Sequence, residues 1–126
     1  MRRIDFDFRP GKMGMRQALY DFSYQKEDGA YVWYGSKERR LEDVLDMEDT
    51  QGKKTLKTKE EWREYYKGYI WALYGMAYIE DGKAYVGKYE KKRRVEDVVE
   101  EVILKWKKKT GDTEKEIREE IHTVYS

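Results

Sequence analysis

The sequence predicts an α+β protein: tandem duplicated ββαα repeats, an antiparallel sheet with helices packed on one face, and an extra N-terminal strand. Three observations carry that reading. Residues 18–46 laid over 72–100 without a gap agree at 13 of 29 positions, from Ala18-Leu19-Tyr20 against Ala72-Leu73-Tyr74 to Val44 against Val98. Each copy holds an Asp-Gly pair between aromatic runs, Asp28-Gly29 and Asp81-Gly82, a hairpin signature because glycine takes the positive φ such turns need. Each hairpin is followed by apolar residues at helical spacing: Leu41, Val44 and Leu45, then Val95, Val98 and Val99. Hairpins leading into helices, without βαβ crossovers, place the helices together on one side of an antiparallel sheet.

The echo resumes one residue out of phase, with Thr58, Glu61 and Arg63 answered by Thr113, Glu116 and Arg118. A half of about 55 residues buries too little surface to be stable alone, so residues 1–126 read as one domain of two repeats, about 16–69 and 70–126.

The elements are expected in this order. Ile4, Phe6 and Phe8 alternate with charged residues, as in a strand with one buried face, and Pro10-Gly11 ends it. A second strand from Gln17 to Tyr24 would place Tyr20, Phe22 and Tyr24 on one side, and Tyr31 to Tyr34 would return as its partner. A helix runs from about Arg39 to Glu48, with Glu42 and Asp43 in the first turn where carboxylates suit the dipole. Residues 49–57 form a polar loop. Thr58 and Glu61 make a capping box for a helix whose apolar stripe is Trp62, Tyr65, Tyr66, Tyr69 and Ile70. The repeat requires a strand again by Ala72-Leu73-Tyr74, with a kink or bulge at Gly68 or Gly75. After the second hairpin a longer helix presents Val95, Val98, Val99, Val102, Ile103 and Trp106, closes on lysines, and stops at Gly111. Thr113 and Glu116 cap the last helix, which carries Ile117, Ile121 and Val124.

Composition bounds the chemistry. Lys and Arg number 27 against 26 Asp and Glu, so no global field draws the chain to nucleic acid or membrane, and a charged partner needs a local patch. Twelve Tyr and four Trp argue for a packed fold rather than disorder. The absence of cysteine excludes disulfides, thiolate catalysis and cysteine-ligated zinc. No apolar run is long enough to span a bilayer and no apolar h-region marks the N-terminal stretch, so a cytoplasmic protein without membrane contact is expected.

Catalytic constellations are weak. The single histidine, His122, has no second histidine or nucleophile to work with, and its repeat counterpart is Lys67. Asp81, Glu90 and Lys92 have the order of acid and Glu-x-Lys seen in metal-dependent nucleases, but that spacing arises by chance in a chain this rich in Glu and Lys. Gly11-Lys12-Met13-Gly14 lacks phosphate-loop spacing. The adjacent acids Glu42/Asp43 and Glu96/Asp97 serve helix dipoles better than acid–base work. The expectation is a protein that is not an enzyme and takes no cofactor or metal.

What remains is a basic cluster that occurs twice: Lys37, Arg39 and Arg40, then Lys91, Lys92, Arg93 and Arg94. Each stands where a hairpin hands over to a helix, a rim on which arginines grip phosphate oxygens bidentately and helix-start amides assist. The Tyr-rich strands, with Tyr20, Tyr24, Tyr31 and Trp33 in one copy and Tyr74, Tyr78, Tyr85 and Tyr89 in the other, supply rings on which bases stack. The run Val32-Trp33-Tyr34-Gly35-Ser36 resembles the sheet-to-helix junction of AP2-like and integrase arm-type DNA-binding domains, over about twenty residues of each repeat. That resemblance implies DNA read by basic residues along a three-stranded sheet, whereas these strands carry tyrosines. The expectation is a small binding or regulatory protein whose target is nucleic acid, held by the basic rims with Tyr31, Trp33, Tyr85 and Tyr89. The alternative is a protein partner met through the aromatic and arginine surface, as in an inhibitor or regulatory subunit of phage or mobile-element type acting on host machinery.

Overall fold

A computed structural model of the chain describes residues 10–47 and 56–125. The strand expected at Ile4, Phe6 and Phe8 and most of the polar loop lie outside them. The protein is α+β, with five α-helices and two three-stranded antiparallel sheets among the described residues. In chain order these are α1 (Pro10–Asp21), β1 (Tyr24–Lys26), β2 (Gly29–Tyr34), β3 (Lys37–Arg40), α2 (Leu41–Met47), α3 (Lys59–Met76), β4 (Tyr78–Glu80), β5 (Lys83–Val86), β6 (Arg93–Arg94), α4 (Val95–Thr110) and α5 (Glu114–Tyr125), with a 3₁₀ turn at Tyr89–Lys91 before β6.

Four expectations are corrected. The sheet is not single: β1-β2-β3 and β4-β5-β6 are separate. Gln17 to Tyr24 is not a strand, because α1 runs to Asp21; Pro10 opens that helix, its fixed φ and missing N–H costing nothing at a first helical position. The alternation Tyr20, Phe22, Tyr24 therefore crosses a helix end, a connector and a strand start. Ala72-Leu73-Tyr74 likewise stays helical, since α3 continues to Met76 with Ala72 and Leu73 fully buried. The arginine pairs are also strand rather than helix start, each forming a third strand that the hairpin reading omits.

The two sheets use one pairing scheme. Tyr31 stands between Tyr24 and Arg40, and 54 residues on Tyr85 stands between Tyr78 and Arg94; Val32 faces Arg39 as Val86 faces Arg93. Helices α1 and α3 cross at closest approach through glycine. A Cβ on Gly14 would lie 1.9 Å from the Tyr65 carbonyl oxygen, and one on Gly68 would lie 2.0 Å from that of Gly11. These contacts are reciprocal at the same 54-residue offset.

A single apolar cluster joins both halves. It takes Leu19 and Phe22 from α1 and its end, Val32 and Val86 from the sheets, Val44 from α2, Ile70, Leu73 and Met76 from α3, Val102, Ile103 and Trp106 from α4, and Ile117 from α5. Both expected capping boxes form: Glu61 N–H donates to Thr58 Oγ1 at 3.1 Å and Glu116 N–H to Thr113 Oγ1 at 3.2 Å, while each Glu carboxylate accepts from its threonine's backbone N–H. Val32 and Val86 are fully buried in that cluster, while the rings on the opposite face of each sheet range from buried at Tyr24 to half-buried at Tyr31, Trp33, Tyr78 and Tyr85.

Candidate functional site

Strand alternation sorts the side chains. In the first sheet Tyr24, Lys26, Tyr31, Trp33, Glu38 and Arg40 share the face away from Val32. In the second, Tyr78, Glu80, Lys83, Tyr85 and Arg94 share the face away from Val86, and Lys92 joins them by laying its ammonium 4.6 Å from the Tyr85 ring centroid. The two outer faces meet at an edge contact between Trp33 and Tyr78, 6.0 Å apart at 66°. Nearby, Tyr24 packs edge-on against Tyr89 at 5.3 Å.

Cations and rings alternate across this surface. The Tyr31 ring has Lys26 Nζ at 5.1 Å on one hand and the Arg40 guanidinium at 5.5 Å on the other. Its hydroxyl donates to Asp28 Oδ2 at 2.9 Å and accepts from Arg40 Nη1 at 3.3 Å. Lys88 spans the seam, with its Nζ 4.4 Å from the Trp33 centroid and 4.0 Å from that of Tyr78.

Almost every cation here already has a carboxylate. Lys26 pairs with Glu38 at 2.9 Å, Arg40 with Glu42 at 3.4 Å and Asp28 at 3.7 Å, Lys92 with Glu80, and Arg94 with Glu96. Two of these pairs occupy equivalent places with the charges exchanged: Lys26–Glu38 in the first sheet is Glu80–Lys92 in the second, 54 residues on. The pairing is kept and the charges are exchanged, although Glu38 lies within β3 and Lys92 just before β6. Hydrogen bonds from Lys26, then Tyr24, hold Glu38 below the usual carboxylate range, and the bond from Lys92 does the same for Glu80. Tyr24 is driven the other way, well above an ordinary phenol, first by burial and then by its 2.7 Å hydrogen bond to Glu38. At neutral pH the two carboxylates are thus fixed negative charges and the Tyr24 hydroxyl a hydrogen-bond donor.

The expected residues divide accordingly. Tyr31, Trp33, Arg40, Tyr85, Lys92 and Arg94 come together on the outer faces, with the exposed ring of Tyr89 beside them. Arg39 and Arg93 do not, since alternation turns them to the helix side: Arg39 Nε donates to the Tyr34 carbonyl at 3.0 Å and Arg93 pairs with Glu101. Lys91 is also diverted; its ammonium donates to the carbonyls of Asp21 at 3.2 Å and Ser23 at 3.0 Å, closing the end of α1. Lys37 is exposed opposite Tyr34 and has no ion pair among the described residues. The duplicated basic cluster is thus not one rim. Lys26 and Lys88 escape a reading centred on the cluster. Period-two alternation finds Lys26, but nothing local marks Lys88, which lies outside the strands between Gly87 and Tyr89.

Asp81 sits at the second hairpin turn and Lys92 is engaged by Glu80, so the nuclease-like trio does not converge; among the described residues no group of three or more His, Asp or Glu is placed to hold a metal. His122 is exposed on α5 beside Arg118 and Glu119. Among the described residues no helix is long and apolar enough to cross a membrane. Comparison with protein-family models, curated proteins and solved structures gives no match.

Proposed function

We propose that the chain is a non-enzymatic nucleic-acid-binding protein that meets its ligand with the outer faces of both sheets, and that the sheets descend from one duplicated unit. The observation that carries the binding reading is the seam: rings and cations from two sheets lie side by side on the outer faces, joined at Trp33 and Tyr78. Rings supply base stacking, worth about 1–3 kcal/mol per base, while Arg40 and Arg94 at equivalent register positions supply phosphate contacts. The duplication is supported by the common strand register and by the exchanged ion pair, which preserves a contact while reversing its residues.

Gel shifts with single-stranded and duplex probes across a salt series test the reading. Binding is expected at low salt. Arg40→Ala with Arg94→Ala should reduce the slope of log affinity against log salt by roughly 0.7–0.9 per arginine, whereas Arg93→Ala, on the helix side, should leave it unchanged. Tyr31→Ala with Tyr85→Ala should weaken binding more than 10-fold with little change in slope.

One observation favours a second reading. The carboxylates that neutralise the outer-face cations leave little net positive charge, and a Tyr-, Trp- and Arg-rich neutral face has the residue types of protein hot spots. If no probe binds at low salt, the ligand is a protein, and pull-downs with wild type against the Tyr31/Tyr85 variant identify it.

A further inference from the structure

The corner between Trp33 and Tyr78 has a chemistry of its own. The two rings meet at 66° with centroids 6.0 Å apart, and one ammonium lies over both. Every other cation–ring contact described above is to a single ring. The ammonium belongs to Lys88, which a turn through Gly87 (φ 80) and Tyr89 (φ 58) carries back over β2. No hydrogen bond or ion pair to Lys88 Nζ accompanies these contacts among the described residues, so its direct partners are the two ring faces. Glu38 stands opposite Trp33 in the strand register and Glu80 lies two residues beyond Tyr78 on the same face, so a carboxylate accompanies each ring, and the Lys88 charge adds to the acidity of both.

The corner is also where the two halves part. The counterpart of Trp33 is Gly87 and the counterpart of Lys88 is Tyr34, so a repeated scaffold builds this feature once.

We propose that the Trp33–Tyr78 corner is an ammonium-binding site, filled by Lys88 in the free protein and open to an alkylated ammonium group that displaces it. Two ring faces flanked by carboxylates select a monovalent cation, and a methylated ammonium leaves water more readily than the strongly hydrated head of lysine. Lys88 is therefore a plug that a methylated lysine of a partner polypeptide, or a free quaternary ammonium compound, outcompetes. This proposal stands apart from nucleic-acid binding, because its readout is a ring signal in protein without nucleic acid.

The test uses the full chain and Lys88→Ala, titrated with tetramethylammonium and with a short peptide carrying trimethyl-lysine. The reporter is the Trp33 indole N–H resonance, whose nitrogen is buried without an acceptor, together with tryptophan fluorescence. Sodium at matched ionic strength and a peptide with a neutral tert-butyl isostere are the controls. Lys88→Ala is expected to bind about 10-fold more tightly than wild type, and adding Tyr78→Leu, which removes one ring and keeps the reporter, is expected to abolish binding. A tighter peptide than tetramethylammonium assigns the ligand to a polypeptide, and equal affinity assigns it to the free cation. Lys88→Met, which keeps the stem and removes the charge, replaces Lys88→Ala if the latter lowers the melting temperature. Absence of any Trp33 response in both the wild type and the Lys88 variant, or an equal response to the neutral isostere, overturns the proposal.

Discussion

Removing the charge of Asp112 tests the best-defined polar network in the protein. Arg63 on α3 donates from Nε and Nη2 to the two Asp112 oxygens at 2.7 and 2.8 Å, and the indole of Trp106 donates to Oδ2 at 3.0 Å. The Asp112 N–H donates to Thr110 Oγ1 at 3.1 Å, and that hydroxyl donates to the Trp106 carbonyl at 2.9 Å. Trp106 is fully buried and stacks on Tyr66 at 6.1 Å, so the carboxylate clamps the α4–α5 turn to α3 at the edge of the core. The hydrogen bonds from Arg63, ahead of that from the Trp106 indole, hold Asp112 at about 2 against an ordinary 3.8. With only 13% of its side chain exposed, the carboxylate is little screened by solvent, and the gap corresponds to roughly 2.5 kcal/mol of stability at neutral pH. Since the folded value is the lower one, this contribution is complete above the unfolded value and is lost as pH falls through about 2. Urea denaturation of wild type and Asp112→Asn at pH 7 should differ by about 2 kcal/mol, and the difference should shrink steadily between pH 4 and pH 2. A difference of the same size at both ends of that range would refute an ionic origin, leaving hydrogen-bond geometry as the cause.

Two further outcomes follow from the packing and the exchanged ion pair. Gly14→Ala and Gly68→Ala each drive a methyl into a helix backbone and should cost more than about 3 kcal/mol, eliminating a cooperative thermal transition, whereas Gly11→Ala, with its nearest atom at 3.5 Å, should be neutral or stabilising; circular dichroism melts decide, and a tolerated Gly68→Ala would mean that α1 and α3 do not cross at these glycines. Lys26→Glu or Glu38→Lys alone should lower the melting temperature by placing like charges across the strands, and combining them should recover most of the loss, since the second sheet already uses that polarity in Glu80–Lys92; equal melting of the single and double variants would show the pair to be energetically silent.

The α+β class, the helix stripes and the two capping boxes were legible along the chain because each is local: Thr58 and Glu61 are three residues apart, and Val95, Val98, Val99 and Val102 mark one helix face without help from the rest of the molecule. The site was legible only in part. Composition and repetition pointed to Tyr31, Arg40, Tyr85 and Arg94, yet placed Arg39 and Arg93 with them, although neighbours in a strand face opposite ways. Reading β3 and β6 as helix starts hid that alternation. The strand expected over Gln17 to Tyr24 failed for a related reason: three aromatics two apart have the period of a strand, but Pro10, Gly14 and Ala18 favour a helix that buries its small residues against α3.

By itself the sequence determined what its own neighbours enforce: hairpin turns, caps, apolar periodicity and a shared pattern at an offset of 54 residues. Tertiary structure alone decided that there are two sheets rather than one, that α1 and α3 interlock through Gly14 and Gly68, and that Lys88 lies over rings from both sheets. The physical reason is range. Backbone dihedrals and caps respond to residues within a turn or two, whereas a carbonyl approaching a glycine, or an ammonium reaching a ring 55 positions away, depends on how the whole chain closes around its core.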